Sequence, residues 1–312
     1  MSTKIYFNSE LKASLQTKFK ERVCFDEILA SHVAYRVGGP ADALVFPKNA
    51  EELTWLSGFA KKNSIPFTII GTGTNLLVRD EGIRGITISL SKAFQEIEYV
   101  NSPQTEPILV RTGGGVSKPD FLNWALSEGL AGLEFSAGVP GTIGGGIYMN
   151  AGTKYGSYGD ILKTLKLFDF ESGVKEYKRE ELSFGYREQN AVGRNLVVEV
   201  VFELKKSDPI ALKAEVARII QERAEKQPLD YPSCGSTFKN PEGLSAGRLI
   251  EKTGLKGLQV GGAQISLKHA NFILNLGDAK AADILSIIEI VKQRVWEQSG
   301  VKLENEVIVV GG

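Results

Sequence analysis

Two stretches of this chain carry the residue types that cradle an anion. Gly71-Thr72-Gly73-Thr74-Asn75 follows directly on the apolar run 66–70. Closely spaced glycines let backbone N–H groups turn inward towards a phosphate, and Thr and Asn side chains can add hydrogen bonds. The segment is no Rossmann fingerprint, because no third glycine follows and Leu76-Leu77-Val78 continues apolar instead of opening a capped helix. It also lacks the Gly-Lys-Ser/Thr of a P-loop. Taken alone, such a string is more often a tight turn than a ligand loop. The second stretch, Gly138-Val139-Pro140-Gly141-Thr142-Ile143-Gly144-Gly145-Gly146, has four glycines in its last six residues. That density is entropically expensive to fold and points to close backbone approach to something flat or anionic. The plain alternative is a β-hairpin or barrel corner. Tyr148-Met149-Asn150-Ala151-Gly152 extends the same surface.

Other residues have the chemistry of a site but not, by themselves, the context. Arg187 closes Phe184-Gly185-Tyr186-Arg187. An arginine before a strand is usually solvent-facing or salt-bridged, yet a guanidinium can hold a carboxylate bidentately at any working pH. Ser236 is flanked by small residues that would let its hydroxyl face a pocket, although serines near glycine are commonplace in turns. No G-x-S-x-G elbow surrounds it, so a hydrolase triad is not indicated. Glu306, in Leu303-Glu304-Asn305-Glu306-Val307, reads by default as the polar face of a closing strand. Arg223 and Lys226 sit three apart at a helix end, where they could share a face that meets a diphosphate or belong to a solvated charged face. Lys239, Asn240 and His269 are further candidates for substrate contact, the histidine as a polar contact and not as a base. Cys24 and Cys234 have no CxxC spacing and read as two free thiols in a reducing cytosol. Two histidines without a local ligand cluster predict no zinc site. Any redox chemistry therefore needs a borrowed cofactor.

The elements that must position these residues are mixed. The chain of 312 residues is long enough for two or three domains, and its 37 basic and 37 acidic residues cancel, giving no global pull towards nucleic acid or anionic membrane. The N-terminus lacks an apolar signal core, and no run approaches a membrane span, so a soluble cytoplasmic protein is expected. Residues 8–28 read as one or two amphipathic helices, followed by a strand at 41–47, a helix at 49–64 capped by Asn49, and strands at 65–71 and 82–90. Residues 106–205 are strand-rich, interrupted by a helical pattern at 117–129. In the last strand Leu196, Val198, Val200 and Phe202 alternate with Val197, Glu199, Val201 and Glu203, suggesting one strongly apolar face. Residues 205–209 read as a linker before a long helix, after which Pro228 and Pro232 force an extended segment. The resulting division is 1–70, 71–205, 206–305, and a C-terminal segment 306–312.

The stretch 131–156, AGLEFSAGVPGTIGGGIYMNAGTKYG, resembles the flavin-binding core of the UDP-N-acetylenolpyruvoylglucosamine reductases. Tyr35-Arg36-Val37-Gly38-Gly39-Pro40 is similar to that family's N-terminal motif, with Tyr35 where threonine is usual. Residues 71–75 resemble its pyrophosphate loop, residues 231–241 its proton-donor motif, and residues 303–307 its C-terminal glutamate motif. The resemblance implies an α+β chain, with a two-subdomain FAD-binding fold of the vanillyl-alcohol-oxidase type and a C-terminal α/β substrate domain. It implies FAD contacts from Arg36, Gly38, Gly71, Thr72, Gly73, Thr74, Asn75, Gly138, Pro140, Gly141, Thr142, Gly144, Gly145 and Tyr148. Arg187 and Glu306 are then expected to stabilise an enolic carboxylate, with Ser236 as proton donor. Arg223, Lys226, Lys239, Asn240 and His269 are expected on the substrate. NADPH is the implied hydride donor and UDP-N-acetylglucosamine-enolpyruvate the implied substrate, in peptidoglycan-precursor synthesis, by a monomer or weak homodimer. The short connection 205–209 leaves no room for the tyrosine-bearing loop of one subgroup. An FAD oxidase of the same fold, or a non-catalytic nucleotide-sugar-binding homologue, would share the glycine loops. The Ser236 and Glu306 motifs, and the lack of a flavin-tethering His or Cys in the first loop, argue against the oxidase; intact Arg187, Ser236 and Glu306 argue against the non-catalytic homologue.

Overall fold

The first helix, Ser9–Phe19, is capped by Asn8, whose side chain accepts from Leu11 N at 2.9 Å. It ends at Lys20, where φ turns to +53°. The computed structural model describes residues 6–312. Helix was expected as far as residue 28, but Val23–Ile28 is a strand paired antiparallel with Pro40–Val45. Val23, Cys24 and Phe25 are poor helix formers that fit a pleated surface, and the left-handed residue at Lys20 has already broken the helix.

The first sheet runs in the order Val23–Ile28, Pro40–Val45, Ile83–Ser89, Phe67–Ile70. Helix Ala50–Asn63 covers it. Asn49 caps that helix by accepting from Glu52 N at 3.0 Å. Leu53, Leu56 and Ala60 pack with Phe19, Val45, Ile86 and Ile88. Strand Ile83–Ser89 lies between two strands that precede residue 70, so this layer continues past the expected boundary there.

The second sheet is antiparallel, in the order Gly173–Lys178, Leu162–Asp169, Leu196–Lys206, Ile108–Gly113, Ile97–Tyr99. In its central strand Val197 and Val201 are buried as well as the expected face, because layers pack on both sides. A bulge contributes: Lys166 pairs with Glu199 but Leu167 with Val197. An extra residue reverses the facing of those beyond it. Leu196 and Val198 therefore join the first layer's core, while Val197, Val200, Phe202 and Leu204 pack with Phe121 and Leu165. Helix Pro209–Lys226 puts Val216 and Ile219 into this same second core. The helix placed after the expected boundary at 205 thus belongs with the layer before it.

A third core is built on helix Ala281–Ser299, whose Ile284, Ile287, Ile288, Val291 and Val295 pack against Phe238, Ile250, Ile265 and Ile273. Its small sheet runs Gln259–Val260, Ala263–Ile265, Ile273–Asn275. Tyr35, Val37 and Leu77 reach into it from the N-terminal layer. The C-terminal strand Ile308–Val310 returns to lie parallel to Leu76–Val78. No helix among the described residues is long and apolar enough to cross a membrane.

Asp80 joins the layers electrostatically. Its carboxylate oxygens accept from Ala281 N at 2.8 Å and Ala282 N at 2.9 Å, at the positive end of the longest helix. Asp80→Ala is expected to lower stability by about 2 kcal/mol in urea unfolding, from two lost charge-assisted bonds. An unchanged midpoint would show that water replaces the carboxylate without loss.

Candidate active site

Residues far apart in sequence meet at Thr237. Its N–H donates to Asn271 O and its carbonyl accepts from Glu306 N, both at 2.8 Å. Ser236, immediately before it, is half-buried, and its hydroxyl has no hydrogen-bond partner among the described residues. Glu306 Oε1 accepts from Arg187 Nε at 2.6 Å, the two side chains being 13% and 20% exposed. Arg187 is the second residue of a two-residue turn between Phe184–Gly185 and Glu188–Gln189, with φ +58°. Only its Nε is engaged among the described residues, so the Nη1/Nη2 edge is free to take a carboxylate. The Tyr186 ring lies 4.9 Å from the guanidinium carbon. The neighbouring glutamate, Glu304, is 76% exposed and accepts from Lys239 Nζ at 3.4 Å instead.

The two glycine segments converge on this constellation. Asn75 Nδ2 donates to Glu306 O at 2.9 Å, and Ile308 N donates to Asn75 O at 3.0 Å. Ala34 N donates to Gly73 O at 3.1 Å, which brings the Arg36–Gly38 segment alongside; Arg36 is exposed and Gly38 packs against Val78. Residues 143–148 form a short helix, not a hairpin, capped by Thr142, which accepts from Gly145 N. Part of the glycine density has a protein cause. A Cβ on Gly144 would stand 2.9 Å from Gly114 O, and one on Gly146 3.0 Å from Tyr158. A Cβ on Gly141 would stand 2.7 Å from Thr74 Oγ1 and 3.2 Å from Lys118 Nζ. Gly145 alone of the four leaves its surroundings open, apart from Thr142 Oγ1 at 3.4 Å. Pro140 and Tyr148 are exposed at either end of this helix and its approach.

This cradle fits a diphosphate. No acceptor among the described residues takes the N–H groups of Thr72, Gly73, Thr74 and Asn75, nor those of Gly141 and Thr142. Clustered main-chain N–H groups left without an acceptor can bind an anion. Thr74 and Gly71 both abut the second loop, since a Cβ on Gly71 would stand 3.0 Å from Thr142 Oγ1.

The other candidates divide. Arg223 is half-buried and lies against Gly138, whose Cβ would stand 3.1 Å from its Nε. Lys226, expected to share its face, is exposed and bonded to Glu222 at 2.8 Å, in a surface network with Lys154 and Tyr155. Lys226 thus pairs with Glu222 at the surface, while Arg223 lies against the second glycine segment. Asn240 Oδ1 accepts from Ala246 N, and its N–H donates to the Tyr186 hydroxyl at 3.3 Å. A groove of about 430 Å³ opens there, lined by Tyr186, Asn240, Pro241 and Leu244 among others. Tyr35 is fully buried, its hydroxyl beside Thr237, and burial pushes its phenol well up. Sequence reasoning passed over Lys118, which is 5% exposed. A lysine as the first helical residue, against the helix dipole, was the available signal. Among the described residues no cluster of His, Cys, Asp or Glu could hold a metal ion.

Residues 41–175 match the FAD binding domain, and residues 227–310 match the UDP-N-acetylenolpyruvoylglucosamine reductase, C-terminal domain. The chain is 41% identical over 301 residues to the UDP-N-acetylenolpyruvoylglucosamine reductase of Syntrophus aciditrophicus, covering 96% of each. It is 40% identical to that of Moorella thermoacetica, covering 96% of this chain and 97% of the other. The chain belongs to the UDP-N-acetylenolpyruvoylglucosamine reductase family. The crystal structure of the Thermus caldophilus reductase superposes with a TM-score of 0.77 at 36% identity, covering 93% of this chain and 98% of that one. As a member of this reductase family the chain is an FAD-containing oxidoreductase. The FAD-domain match takes in both glycine segments, and the reductase C-terminal match takes in Ser236 and Glu306. That second match begins directly after helix Pro209–Lys226, where the third core begins.

His269 illustrates the electrostatics of the reductase domain. Its Nδ1 accepts from Asn271 N at 3.2 Å, its ring packs on Phe272, and burial lowers its pKa below 6.5. A depressed histidine is neutral at pH 7, and it contributes stability that is lost as the pH falls below the unfolded value. Following the ring protons by NMR should give a midpoint below 6.5; a midpoint at or above that value would contradict the buried, neutral assignment.

Proposed function

We propose that this chain reduces the enolpyruvyl ether of UDP-N-acetylglucosamine to UDP-N-acetylmuramate with NADPH, a step in making peptidoglycan precursors. The observation that carries the reading is the meeting of Ser236, Arg187 and Glu306 around Thr237, beside the Asn75 turn. FAD, when bound, would supply the hydride chemistry that links NADPH to the substrate's methylene carbon. The N–H groups of the Thr72–Asn75 turn and of Gly141 and Thr142 would hold it.

The protein's own groups do the rest. The open edge of Arg187 takes the substrate carboxylate bidentately and stabilises negative charge as that carboxylate becomes enolic. Glu306 holds the guanidinium by Nε and so fixes the direction of that edge. The Ser236 hydroxyl, without a partner of its own, donates its proton to the carbon next to the carboxylate. Arg223, Lys239 and Asn240 grip the nucleotide sugar, and His269 contributes as a neutral polar contact. Arg36, Gly38 and Tyr148 border the flavin. All these residues come from one chain, so a monomer or weak dimer suffices. Free Cys24 and Cys234 suit a reducing cytoplasm, and burial pushes the Cys234 thiol up to about 12, which keeps it out of the chemistry.

The test is spectroscopic. Flavin absorbance should bleach on anaerobic addition of NADPH and return on addition of the enolpyruvyl sugar. A protein that regains colour with oxygen but ignores the sugar would favour an oxidase, and one that cannot be loaded with FAD would sink the reading. Ser236→Ala should leave bleaching unchanged and slow the return by roughly 100- to 10,000-fold, the range for a lost general acid. Arg187→Lys should weaken the sugar's effect while sparing NADPH, since an ammonium cannot reproduce the two-pronged contact.

A further inference from the structure

Lys118 is the residue whose placement the fold itself least explains. It is the first residue of helix Lys118–Ser127 and 5% exposed; its main-chain N–H donates to Gly141 O at 2.8 Å, but its ammonium makes no hydrogen bond or ion pair among the described residues. Every local electrostatic effect opposes an ammonium there. The N-terminal end of a helix is its positive pole, and burial removes the water that would solvate the charge. Arg187 from the hairpin and Arg223 from helix Pro209–Lys226 both repel it. No neighbour supplies the missing counter-charge. Glu306 is committed to Arg187, Asp120 in Lys118's own first turn is exposed, and the Tyr158 hydroxyl is paired with Ser136. Burial first, and the two arginines after it, bring the ammonium down to about 8.

The stem of Lys118 is threaded through space that only glycines leave. A Cβ on Gly146 would stand 3.4 Å from its Cδ, and one on Gly141 would stand 3.0 and 3.2 Å from its Cε and Nζ. The same Gly141 position lies 2.7 Å from Thr74 Oγ1, so Nζ sits at the seam of the two glycine turns. Around that seam are the N–H groups of Thr72, Gly73, Thr74, Asn75, Gly141 and Thr142, which have no acceptor. Lys118, Thr74 and Gly141 all fall within the residues that match the FAD binding domain.

We propose that the Lys118 ammonium is the counter-charge for the diphosphate of bound FAD, completing a cradle otherwise built from main-chain N–H groups. The proposal rests on the FAD-binding assignment and deepens it. The diphosphate neutralises what Arg187, Arg223 and the helix end leave uncompensated, and it raises the lysine's affinity for its proton. Between pH 8 and about 10, then, FAD binding takes up a proton, and affinity falls as the pH rises through that range.

The experiment uses the full-length chain stripped of flavin, titrated separately with FAD and with UDP, as wild type, Lys118→Met and Lys118→Arg. Lys118→Met is expected to weaken FAD binding about 10- to 100-fold at pH 7, the worth of one charge-assisted contact. Its flavin-free melting temperature should stay level or rise, because a buried uncompensated charge has gone. Lys118→Arg should keep much of the affinity at pH 7 but abolish proton uptake at pH 9, read by calorimetry in two buffers of different ionisation enthalpy. If Lys118→Met does not fold, that loss of proton uptake in the arginine variant still decides. Undiminished FAD affinity in Lys118→Met overturns the proposal, and if UDP binding alone suffers, the lysine serves the nucleotide sugar instead. A drop in flavin-free melting temperature that accompanies the loss of affinity overturns it in favour of a structural role. Failure of the wild type to bind FAD overturns the parent assignment as well, and the wild-type control tells the two apart.

Discussion

The site depends on Asn75 more than on any residue that would touch substrate. Its side chain donates to Glu306 O and its own carbonyl accepts from Ile308 N. These two bonds start a parallel ladder in which Ile308, Val309 and Val310 pair with Leu76, Leu77 and Val78. The ladder ends where Arg79 N donates to Val310 O. A carboxylate near the C-terminus is thereby held against a turn more than two hundred positions earlier in the chain. Leu77 and Val78 are fully buried on opposite faces, in two different cores, so packing fixes the register of the ladder: a slip of one residue would exchange those faces and swing Glu306 away from Arg187.

Charge in this interior serves geometry more than stability. Replacing a buried ion pair by apolar residues is often neutral or stabilising, whereas removing one partner costs about 3–5 kcal/mol. The Arg187–Glu306 contact therefore constrains direction, leaving the Nη edge to look away from Glu306. Arg223 and Lys118 carry the opposite message. Cations that are partly or wholly buried without partners destabilise the chain as it stands, and such arrangements are found where a ligand completes them. Local rules fail here together, at one seam, while helix caps at Asn8, Asn49 and Asp208 follow them.

How much of this was legible in the sequence depended on how local the cause was. Strands and helices with clear periodicity, such as residues 50–63 or 281–299, could be read from side-chain order alone. Residues 23–28 could not, because Val23, Cys24 and Phe25 become a strand by pairing with 40–45 after Lys20 breaks the helix. The packing of the next helix was not legible for a similar reason: the charged segment 205–209 reads as a break, while Val216 and Ile219 beyond it pack in the core of the preceding sheet. At the site, motif resemblance brought Arg187, Ser236 and Glu306 into view, and their convergence needed the fold. Lys226 and Arg223 look equivalent in sequence, and only the fold shows Arg223 against Gly138 and Lys226 paired with Glu222 at the surface. The glycine run was legible as close approach, but what approaches Gly144 and Gly146 is largely protein: Gly114 O and the Tyr158 ring.

Arg187 shows how the strained and the ordered parts are joined. A two-stranded hairpin of two residues a side is marginal by itself, and a left-handed non-glycine residue at its turn costs roughly 1–2 kcal/mol. The hairpin persists because others hold it. Asn150 Nδ2 donates to Gly185 O at 2.8 Å, while its Oδ1 accepts from Gly159 N at 3.0 Å. Gln189 Oε1 accepts from Ala191 N and Val192 N, and Asn190 Oδ1 accepts from Ser183 N. Asn150 follows the end of the glycine-rich helix and itself has φ +38°. The glycine-rich loop and the turn that presents Arg187 are thus two ends of one hydrogen-bonded unit. Displacing the glycine helix would move the guanidinium with it. The three glycines at the centre of that helix allow its close seating: Gly144 lies against Gly114 O and Val197 of the central strand, Gly146 lies against the Tyr158 ring, and Ile143 and Ile147 fill the core beside them.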